Sequence, residues 1–260
     1  MDVIIFKNVC KYYPKYHEVT GGIKNFLFNL PTAVKNLKHV RFEALNDITF
    51  TIKKGEAVGF IGRNGAGKST TLGLIAGVLE PTSGELEIKE RISPLLELGG
   101  GFHHELTGRE NIRLNGVLLG LTLKEVMSKM DQIIEFSELG EFIDQPVRAY
   151  SSGMKARLGF SVIAHLDPKI LLIDEVLGVG DAKFREKCKD KIMEFKKEGV
   201  TIALVSHSVN DVIELCDRAI WIEDRKVKSI GNSYDVCKEY SEFMGVKFEY
   251  ERPESTIENP

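Results

Sequence analysis

The sequence predicts an α/β fold: a parallel-sheet core with an antiparallel β edge subdomain and an inserted α-helical subdomain. Three observations predict it. The apolar run 57–61 leads through a glycine-rich turn into a helical stretch from Ser69 to Leu79. Strand and helix patterns alternate over 170–223, which is typical of βαβ units in a parallel sheet. Between these parts, residues 107–144 have helical periodicity and no strand pattern.

The flanking elements follow from shorter patterns. Residues 3–6 and the alternating run 45–52 predict two antiparallel strands at one edge. The helix after the glycine-rich turn is expected to end before Pro81. In the helical block, the spacing of apolar residues predicts two buried faces. Their members are Leu114, Val117, Leu118 and Leu121 in the first face, and Val126, Met130, Ile133 and Ile134 in the second.

Composition narrows the class of protein. The chain has 260 residues, 43% of them hydrophobic, and a net charge of −3, which suffices for one sizeable core and gives no support for nucleic acid as a partner. No apolar run approaches the ~18 residues of a membrane span, and residues 1–7 lack a secretion signal, so a cytoplasmic location is expected. The scattered cysteines predict reduced, mostly buried thiols: Cys10, Cys188, Cys216 and Cys237.

The glycine-rich turn predicts a nucleotide-phosphate cradle. Its G-x-x-x-x-G-K-[ST] spacing follows a strand and opens a helix, so that backbone N–H groups can surround a polyphosphate. Lys68 can reach the β- and γ-phosphates, and the Ser69 hydroxyl is expected to bind the magnesium ion between them. The predicted nucleotide-binding residues here are Gly62, Arg63, Asn64, Gly65, Ala66, Gly67, Lys68, Ser69 and Thr70.

A second acidic element supports phosphoryl-transfer chemistry. The run 168–175 predicts a buried parallel strand that ends in Asp174 and Glu175. Asp174 is expected to hold the magnesium shell, and Glu175 to polarise the water that attacks the γ-phosphate. An acidic pair at a strand end is often only structural, but a phosphate loop upstream favours the catalytic interpretation.

The segment from Tyr150 through Ser151, Ser152 and Gly153 to Met154 leads into a helix and resembles the L-S-G-G-Q signature of the ATP-binding-cassette family. The resemblance covers nearly all of residues 1–245. It implies a P-loop cassette with a RecA-like core that hydrolyses ATP with Mg²⁺. It also implies that ATP lies between two copies of the chain, since in the family the signature contacts the γ-phosphate held by the partner copy.

Further family elements can be placed by residue. Asp181, six residues beyond Glu175, matches the dimer-contact aspartate of the D-loop. His207, which follows the strand 201–206, matches the switch histidine that contacts the γ-phosphate and helps to orient Glu175. Tyr13 matches the aromatic residue that stacks on adenine, with Tyr12 as the alternative.

Departures from the family pattern indicate a branch. Glu97 stands where a glutamine is usual and is a candidate magnesium ligand, while Ser152 and Met154 replace signature residues. The run 95–111 and the signature resemble the ATPase subunits of polysaccharide exporters, which handle O-antigen, capsule or wall teichoic acid. This implies a peripheral protein at the cytoplasmic face of the cytoplasmic membrane, which powers export of a lipid-linked polysaccharide through a separate integral-membrane permease. Some relatives continue into a carbohydrate-binding β-sandwich, so this chain is expected to be a short form or a shortened one.

Two regions lie outside the common cassette. The insertion 14–43 is basic and contains an amphipathic pattern at Ile23, Phe26, Leu27 and Leu30. It is expected either to lie against anionic headgroups or pyrophosphate-linked lipid, or to pack as a flap on its own cassette. Residues 246–260 are expected to form a polar tail.

Three rival functions stay open at this stage. One is a transporter of drugs or small solutes. Another is a soluble cassette ATPase that acts on ribosomes or DNA, although such proteins need two cassettes or a long coiled-coil insert. The last is a regulator that binds nucleotide without hydrolysis.

Overall fold

The computed structural model describes residues 1–14, 41–95, 101–174 and 181–250. These ranges contain nine strands and seven α-helices. The strands are β1 (Asp2–Pro14), β2 (Arg41–Lys53), β3 (Ala57–Ile61), β4 (Ser83–Ile88), β5 (Ile92–Leu95), β6 (Ile170–Asp174), β7 (Thr201–Val205), β8 (Arg218–Glu223) and β9 (Lys226–Asn232). The α-helices are α1 (Lys68–Ile75), α2 (Gly108–Leu118), α3 (Leu123–Ser137), α4 (Ser152–Ala164), α5 (Ala182–Lys197), α6 (Val209–Leu215) and α7 (Ser233–Met244).

Several predicted features lie outside the described residues. They are the amphipathic helix of the insertion, Glu97, Glu175 and the tail beyond residue 250.

Two sheets form the cassette, as predicted. The antiparallel sheet has the order β2-β1-β4, and the second sheet has the order β5-β6-β7-β3-β8-β9. Strands β5, β6, β7, β3 and β8 run parallel, and β9 pairs antiparallel with β8. The Arg218 guanidinium joins the two sheets, because it donates to the carbonyl of Thr51 and lies 3.0 Å from the Glu56 carboxylate.

The core lies on both faces of the parallel sheet. Strands β3 and β7 are buried at every residue, and β6 is buried up to its last residue, which is the pattern of a sheet covered on two sides. One apolar cluster joins this sheet to β1, β2 and α1, and a second joins it to α4, α5, α6 and α7. Cys188, Cys216 and Cys237 are buried free thiols, as expected.

The helical subdomain is built on two capping boxes. Thr107 and Glu110 cap α2 reciprocally, and Thr122 and Glu125 do the same for α3. On α3, Val126, Met130 and Ile133 are buried as predicted. Two short 3₁₀ turns, 140–144 and 147–149, lead from α3 to α4.

The predicted buried face of α2 is wrong at two of its four residues, whereas Leu114 is half-buried and Leu121 packs against the core. Val117 is 46% exposed and Leu118 is 68% exposed, whereas Ile112 is fully buried. The helix packs on α3 through Gly116, where an added Cβ would lie 2.5 Å from Val126 Cγ2. A glycine at the contact brings the two helices close together and turns the neighbouring apolar residues outward.

Strand β9 and helix α7 close the cassette on the side of β8. Trp221 of β8 lies with its ring centroid 5.4 Å from that of Tyr240 and 5.1 Å from that of Phe243. Beyond α7 the chain turns back, and the Phe248 ring lies 5.3 Å from Tyr234. Within the described ranges, no helix combines the length and the apolar character that a membrane span requires.

Candidate functional site

The glycine-rich turn leaves β3 after Ile61 and enters α1 at Lys68. Two of its glycines lie where a side chain has no room. An added Cβ would lie 2.0 Å from the carbonyl oxygen of Ile222 at Gly62, and 2.4 Å from Leu45 Cδ2 at Gly67. Both have positive φ angles, 146° and 114°, which L-residues rarely adopt. At Gly62 and Gly67, therefore, both the backbone conformation and the close packing require glycine.

Lys68 lies on the inner side of this turn. Its side chain is only 5% exposed, and its Nζ atom donates to the carbonyls of Gly62 at 2.7 Å and Arg63 at 3.1 Å. The ammonium group is thus held by the loop in which a polyphosphate would lie, where its charge can stabilise anionic oxygens. The structure places Lys68 where the sequence predicts it.

A cavity of about 180 Å³ opens at the turn and is lined by six of the nine predicted loop residues and by one aromatic ring that sequence reasoning missed; Gly62, Arg63 and Ala66 do not line it. That ring belongs to Phe42, which is 44% exposed and has the Arg225 guanidinium 5.3 Å from its centroid. The lining residues are Phe42, Ala44, Asn64, Gly65, Gly67, Lys68, Ser69 and Thr70. An apolar ring at the mouth of a phosphate cradle is suited to hold a base.

Tyr13 and Tyr12 are separated by the alternation of β1. Tyr13 lies opposite Phe42 in the β1–β2 ladder, whereas Tyr12 lies opposite Glu43. The Tyr12 hydroxyl donates to Glu43 Oε1 at 3.1 Å, and this hydrogen bond raises the pKa of Tyr12 above its usual value. Successive residues of a strand face opposite sides, so Tyr13 shares a face with Phe42 and Tyr12 does not.

The predicted carboxylate and histidine lie at the carboxyl edge of the parallel sheet. Val205 at the end of β7 pairs with Asp174 on one side and with Phe60 on the other. Asp174 is therefore level with the point at which the phosphate loop leaves β3. His207 follows two residues after Val205 and is exposed. Ligand sites in parallel sheets occur at this edge.

The turn that carries His207 is fixed on both sides by serine side chains. The Ser206 hydroxyl accepts from the Ser208 N–H at 3.0 Å, and the Ser208 hydroxyl accepts from the Asp211 N–H at 3.2 Å. The second bond caps α6. His207 is thus held just before α6, at the same edge of the sheet from which the phosphate loop begins.

The donor set at this edge fits magnesium. Ser69 provides a hydroxyl and Asp174 a carboxylate, which are the hard oxygen ligands that Mg²⁺ prefers. Within the part of the chain that the structure describes, no three His, Cys, Asp or Glu side chains form a metal-binding group. Ser69 and Asp174 suit an ion that takes its other ligands from phosphate oxygens and water, as Mg²⁺ does with nucleotides.

The signature segment is divided between interior and surface. Tyr150 is buried and donates from its hydroxyl to the Phe142 carbonyl at 2.6 Å, and burial raises the pKa of Tyr150 to about 12. Ser151 accepts from the Met154 N–H at 3.2 Å and caps α4. Ser151 and Ser152 are exposed, and Gly153 follows them in the first turn. Tyr150 therefore anchors the segment, and the helix N-terminus faces outward.

Asp181 lies beside the signature helix α4 and begins the helix α5. It caps α5 by accepting from the Phe184 N–H at 2.9 Å, and it pairs with Arg157 of α4 at 2.6 Å. The Phe184 N–H and Arg157 lower the pKa of Asp181. None of the described signature residues, nor Asp181, lines the cavity at Lys68.

Comparisons with known proteins agree with this geometry. The family described as ABC transporter matches residues 45–178. The O-antigen export system ATP-binding protein RfbB of Klebsiella pneumoniae is 57% identical over 242 residues, or 93% of this chain and 98% of that protein. The teichoic acids export ATP-binding protein TagH of Listeria monocytogenes serotype 4b is 44% identical over 93% of this chain and 70% of that protein.

Solved structures show the same fold. The ATP-binding cassette MJ0796, in a dimeric post-hydrolysis state with ADP and Pi, has a TM-score of 0.70 at 23% identity and covers 88% of this chain and 98% of its own. The family match and the sequence relatives establish that the chain belongs to the ABC transporter family, in the branch that contains the O-antigen and teichoic acid export ATP-binding proteins.

Proposed function

We propose that this chain hydrolyses Mg-ATP and thereby powers the export of a lipid-linked polysaccharide of the O-antigen type through a separate integral-membrane permease. One observation carries the choice of cargo: the 57% identity to an O-antigen export ATP-binding protein over 98% of that protein's length. The phosphate loop and the carboxyl edge of the sheet supply the chemistry. The protein would act at the cytoplasmic face of the membrane as a peripheral subunit.

Each site residue has a role in this proposal. Lys68 and the N–H groups of the loop, together with Thr70 at the start of α1, hold the phosphates and stabilise charge on them. Ser69 and Asp174 would hold Mg²⁺, which would supply positive charge to offset that of the phosphates. Glu175 orients the attacking water, and His207 contacts the γ-phosphate. Glu97 is an additional candidate ligand for the ion.

The catalytic pocket would be completed by a second copy of the chain. The N-terminus of α4 with Ser151 and Ser152 is exposed and does not line the cavity of its own chain. A helix N-terminus favours an anion. Ser151 and Gly153 of one copy would therefore contact the γ-phosphate on the other, with Asp181 at the interface. Loss of the γ-phosphate would remove these contacts and reopen the dimer.

The permease would dock on the helical subdomain. Val117, Leu118, Leu123 and Met127 form an exposed apolar surface at the junction of α2 and α3, with exposed fractions of 46%, 68%, 57% and 46%. Apolar surface of this kind marks contact with a partner. The run that contains Glu97 precedes this subdomain in sequence. Closure of the dimer would therefore be transmitted to the permease through this part of the cassette.

The decisive experiment measures ATP hydrolysis and polysaccharide export in the same system. The chain is co-expressed with its candidate permease, and two quantities are measured: ATPase activity and the amount of surface polysaccharide. The proteins compared are the unchanged chain, Glu175→Gln and the control Glu198→Gln. The control alters an exposed carboxylate at the end of α5. Glu175→Gln should bind ATP, accumulate a closed dimer and abolish both readouts, while the control retains both. Hydrolysis at the unchanged rate by Glu175→Gln would contradict the assignment.

A teichoic acid cargo is the second candidate. It is favoured by 52% identity to the TagH protein of Lactococcus lactis, over 78% of this chain and 43% of that protein. Extraction of the polymer that accumulates inside cells of the Glu175→Gln strain distinguishes the two. Deletion of 20–38 in the same system tests whether the insertion guides the polymer: unchanged export and unchanged polymer-stimulated hydrolysis would exclude that role.

A further inference from the structure

The side chain of Arg63 turns away from the phosphate cavity and enters a socket made by the end of β8 and the end of α7. Its Cζ atom lies 4.8 Å from the Phe243 ring centroid, and its Nε atom lies 3.4 Å from Met244 Sδ. The same nitrogen lies 3.6 Å from Glu223 Oε1. Three different groups therefore hold one guanidinium: a ring face, a thioether and a carboxylate.

The socket is itself fixed by packing. Glu223 is only 8% exposed, and its second oxygen accepts from the Trp221 indole N–H at 3.2 Å. The Trp221 ring lies 5.1 Å from Phe243, and Lys228 Nζ lies 3.5 Å from the Phe243 centroid. A carboxylate that is buried and hydrogen-bonded in this way is a fixed partner for the Arg63 side chain.

The backbone of Arg63 contacts the site. Its carbonyl accepts a hydrogen bond from Lys68 Nζ at 3.1 Å, beside the bond from Lys68 to Gly62. A continuous series of contacts thus runs from α7 through the Arg63 side chain to its carbonyl and on to the lysine that binds phosphate. Glycine-rich loops lose much backbone freedom when they are ordered, so an anchor at one end lowers the cost of ordering this one around a ligand.

We propose that Arg63 is a positioning residue for nucleotide binding, and that the socket of Glu223, Phe243 and Met244 lets helix α7 support the phosphate loop. The proposal rests on the binding of ATP at this loop and not on the identity of the exported polymer. The expected consequence is specific. Loss of the socket weakens nucleotide binding, while turnover at saturating ATP is retained, because no group that contacts the reacting atoms is removed.

Affinity for a non-hydrolysable ATP analogue, with Mg²⁺, is measured by calorimetry on the full chain. Phe243→Leu keeps apolar volume but removes the ring face, and we expect the Kd to rise about threefold to tenfold. Glu223→Gln should act in the same direction. Val246→Ala, at an exposed apolar residue just past α7, is the matched control and should leave the Kd unchanged. The ATPase assay should show a raised KM with kcat within about twofold of the unchanged protein.

A double-mutant cycle separates positioning from general damage. If the socket acts through Arg63, Phe243→Leu should have no further effect on Kd in an Arg63→Ala background. Arg63→Lys should recover part of the affinity, because an ammonium can still lie over the Phe243 ring but lacks the Nε–H that meets Met244 and Glu223. An unchanged Kd in Phe243→Leu, or additive effects in the double variant, would overturn the proposal. If Phe243→Leu proves too unstable to assay, Arg63→Ala and Arg63→Lys decide by themselves, since an exposed arginine is removed without disturbing the core.

Discussion

Tyr13 and Phe42 lie directly opposite each other at the open end of the β1–β2 ladder. Opposed residues of antiparallel strands project to the same side, so the two rings share one face. Only Phe42 lines the cavity at the phosphate loop. The family pattern assigns the stacking on adenine to Tyr13, and we propose from this geometry that Phe42, its partner across the ladder, contributes to it or takes it over.

Replacement of Phe42 by Ala should raise the KM for ATP about fivefold or more, because stacking of a base on an aromatic ring contributes roughly 1–3 kcal/mol. Tyr13→Ala should have a smaller effect. Steady-state kinetics give the KM for ATP, and competition by inorganic triphosphate gives the affinity for phosphate without a base. A comparison of the two separates base binding from phosphate binding. A larger effect of Tyr13→Ala than of Phe42→Ala would show that Tyr13 is the residue that stacks on adenine.

Gly67→Ala should abolish nucleotide binding, because its Cβ would lie 2.4 Å from Leu45 Cδ2 and 2.9 Å from the Ala44 carbonyl. Gly77→Ala is the matched control. Gly77 also has a positive φ angle, 72°, but no atom lies within 4 Å of the added carbon. The control should lower the unfolding temperature and retain affinity. Equal loss of binding in both variants would show that strain alone, and not the close approach, matters.

Lys68→Ala should weaken ATP binding more than tenfold, since hydrogen bonds to a charged group contribute about 1.5–3 kcal/mol. Lys68→Arg should fail to restore affinity, although it keeps the charge. The ammonium is almost fully enclosed between two loop carbonyls, and a planar guanidinium does not fit that geometry. Calorimetric titration with ATP and Mg²⁺ measures both. Near-normal affinity in Lys68→Arg would mean that the enclosure is looser than the structure indicates.

Glu138 should contribute to stability only above acidic pH. Lys187 at 2.9 Å and Arg157 at 3.1 Å lower the pKa of this carboxylate. A lowered folded-state pKa means that the contribution is complete above the unfolded value, about 4.3, and is lost as the pH falls through the folded value. Thermal unfolding of Glu138→Gln should therefore start below that of the unchanged protein at pH 7, and the difference should shrink below about pH 4. A difference that is constant with pH would exclude the ion pairs as its cause.

Thr122→Ala should destabilise the protein by about 1 kcal/mol, because it removes the capping box that begins α3. Thr122→Ser keeps the hydroxyl and should be close to neutral. Denaturant unfolding gives both values. Since the capped helix carries part of the apolar surface proposed for the permease, coupling of ATP hydrolysis to the permease should weaken in the Ala variant alone.

The sequence-based prediction succeeds where local pattern determines structure. The glycine spacing around Lys68, the alternation in β2 and the apolar runs of β6 and β7 are confirmed, because each is specified by a few neighbouring residues. Phe42 was missed because the sequence pattern placed it in the insertion 14–43, whereas the structure begins β2 at Arg41 and pairs Phe42 with Tyr13. At two residues the face of α2 was assigned wrongly because one glycine, Gly116, decides which side approaches α3. The roles of Glu97 and Glu175 stay predictions.

The two outer strands of the six-stranded sheet, β5 and β9, carry residues that oppose aggregation through the sheet edges. Strand β9 carries Lys226 and Lys228 close together, and β5 contains Pro94, whose nitrogen has no hydrogen to offer. Charge and proline at sheet margins discourage another polypeptide from adding a strand. For a protein that we propose to associate with a copy of itself, this protects against the wrong kind of association, namely fibril-like pairing of sheet edges.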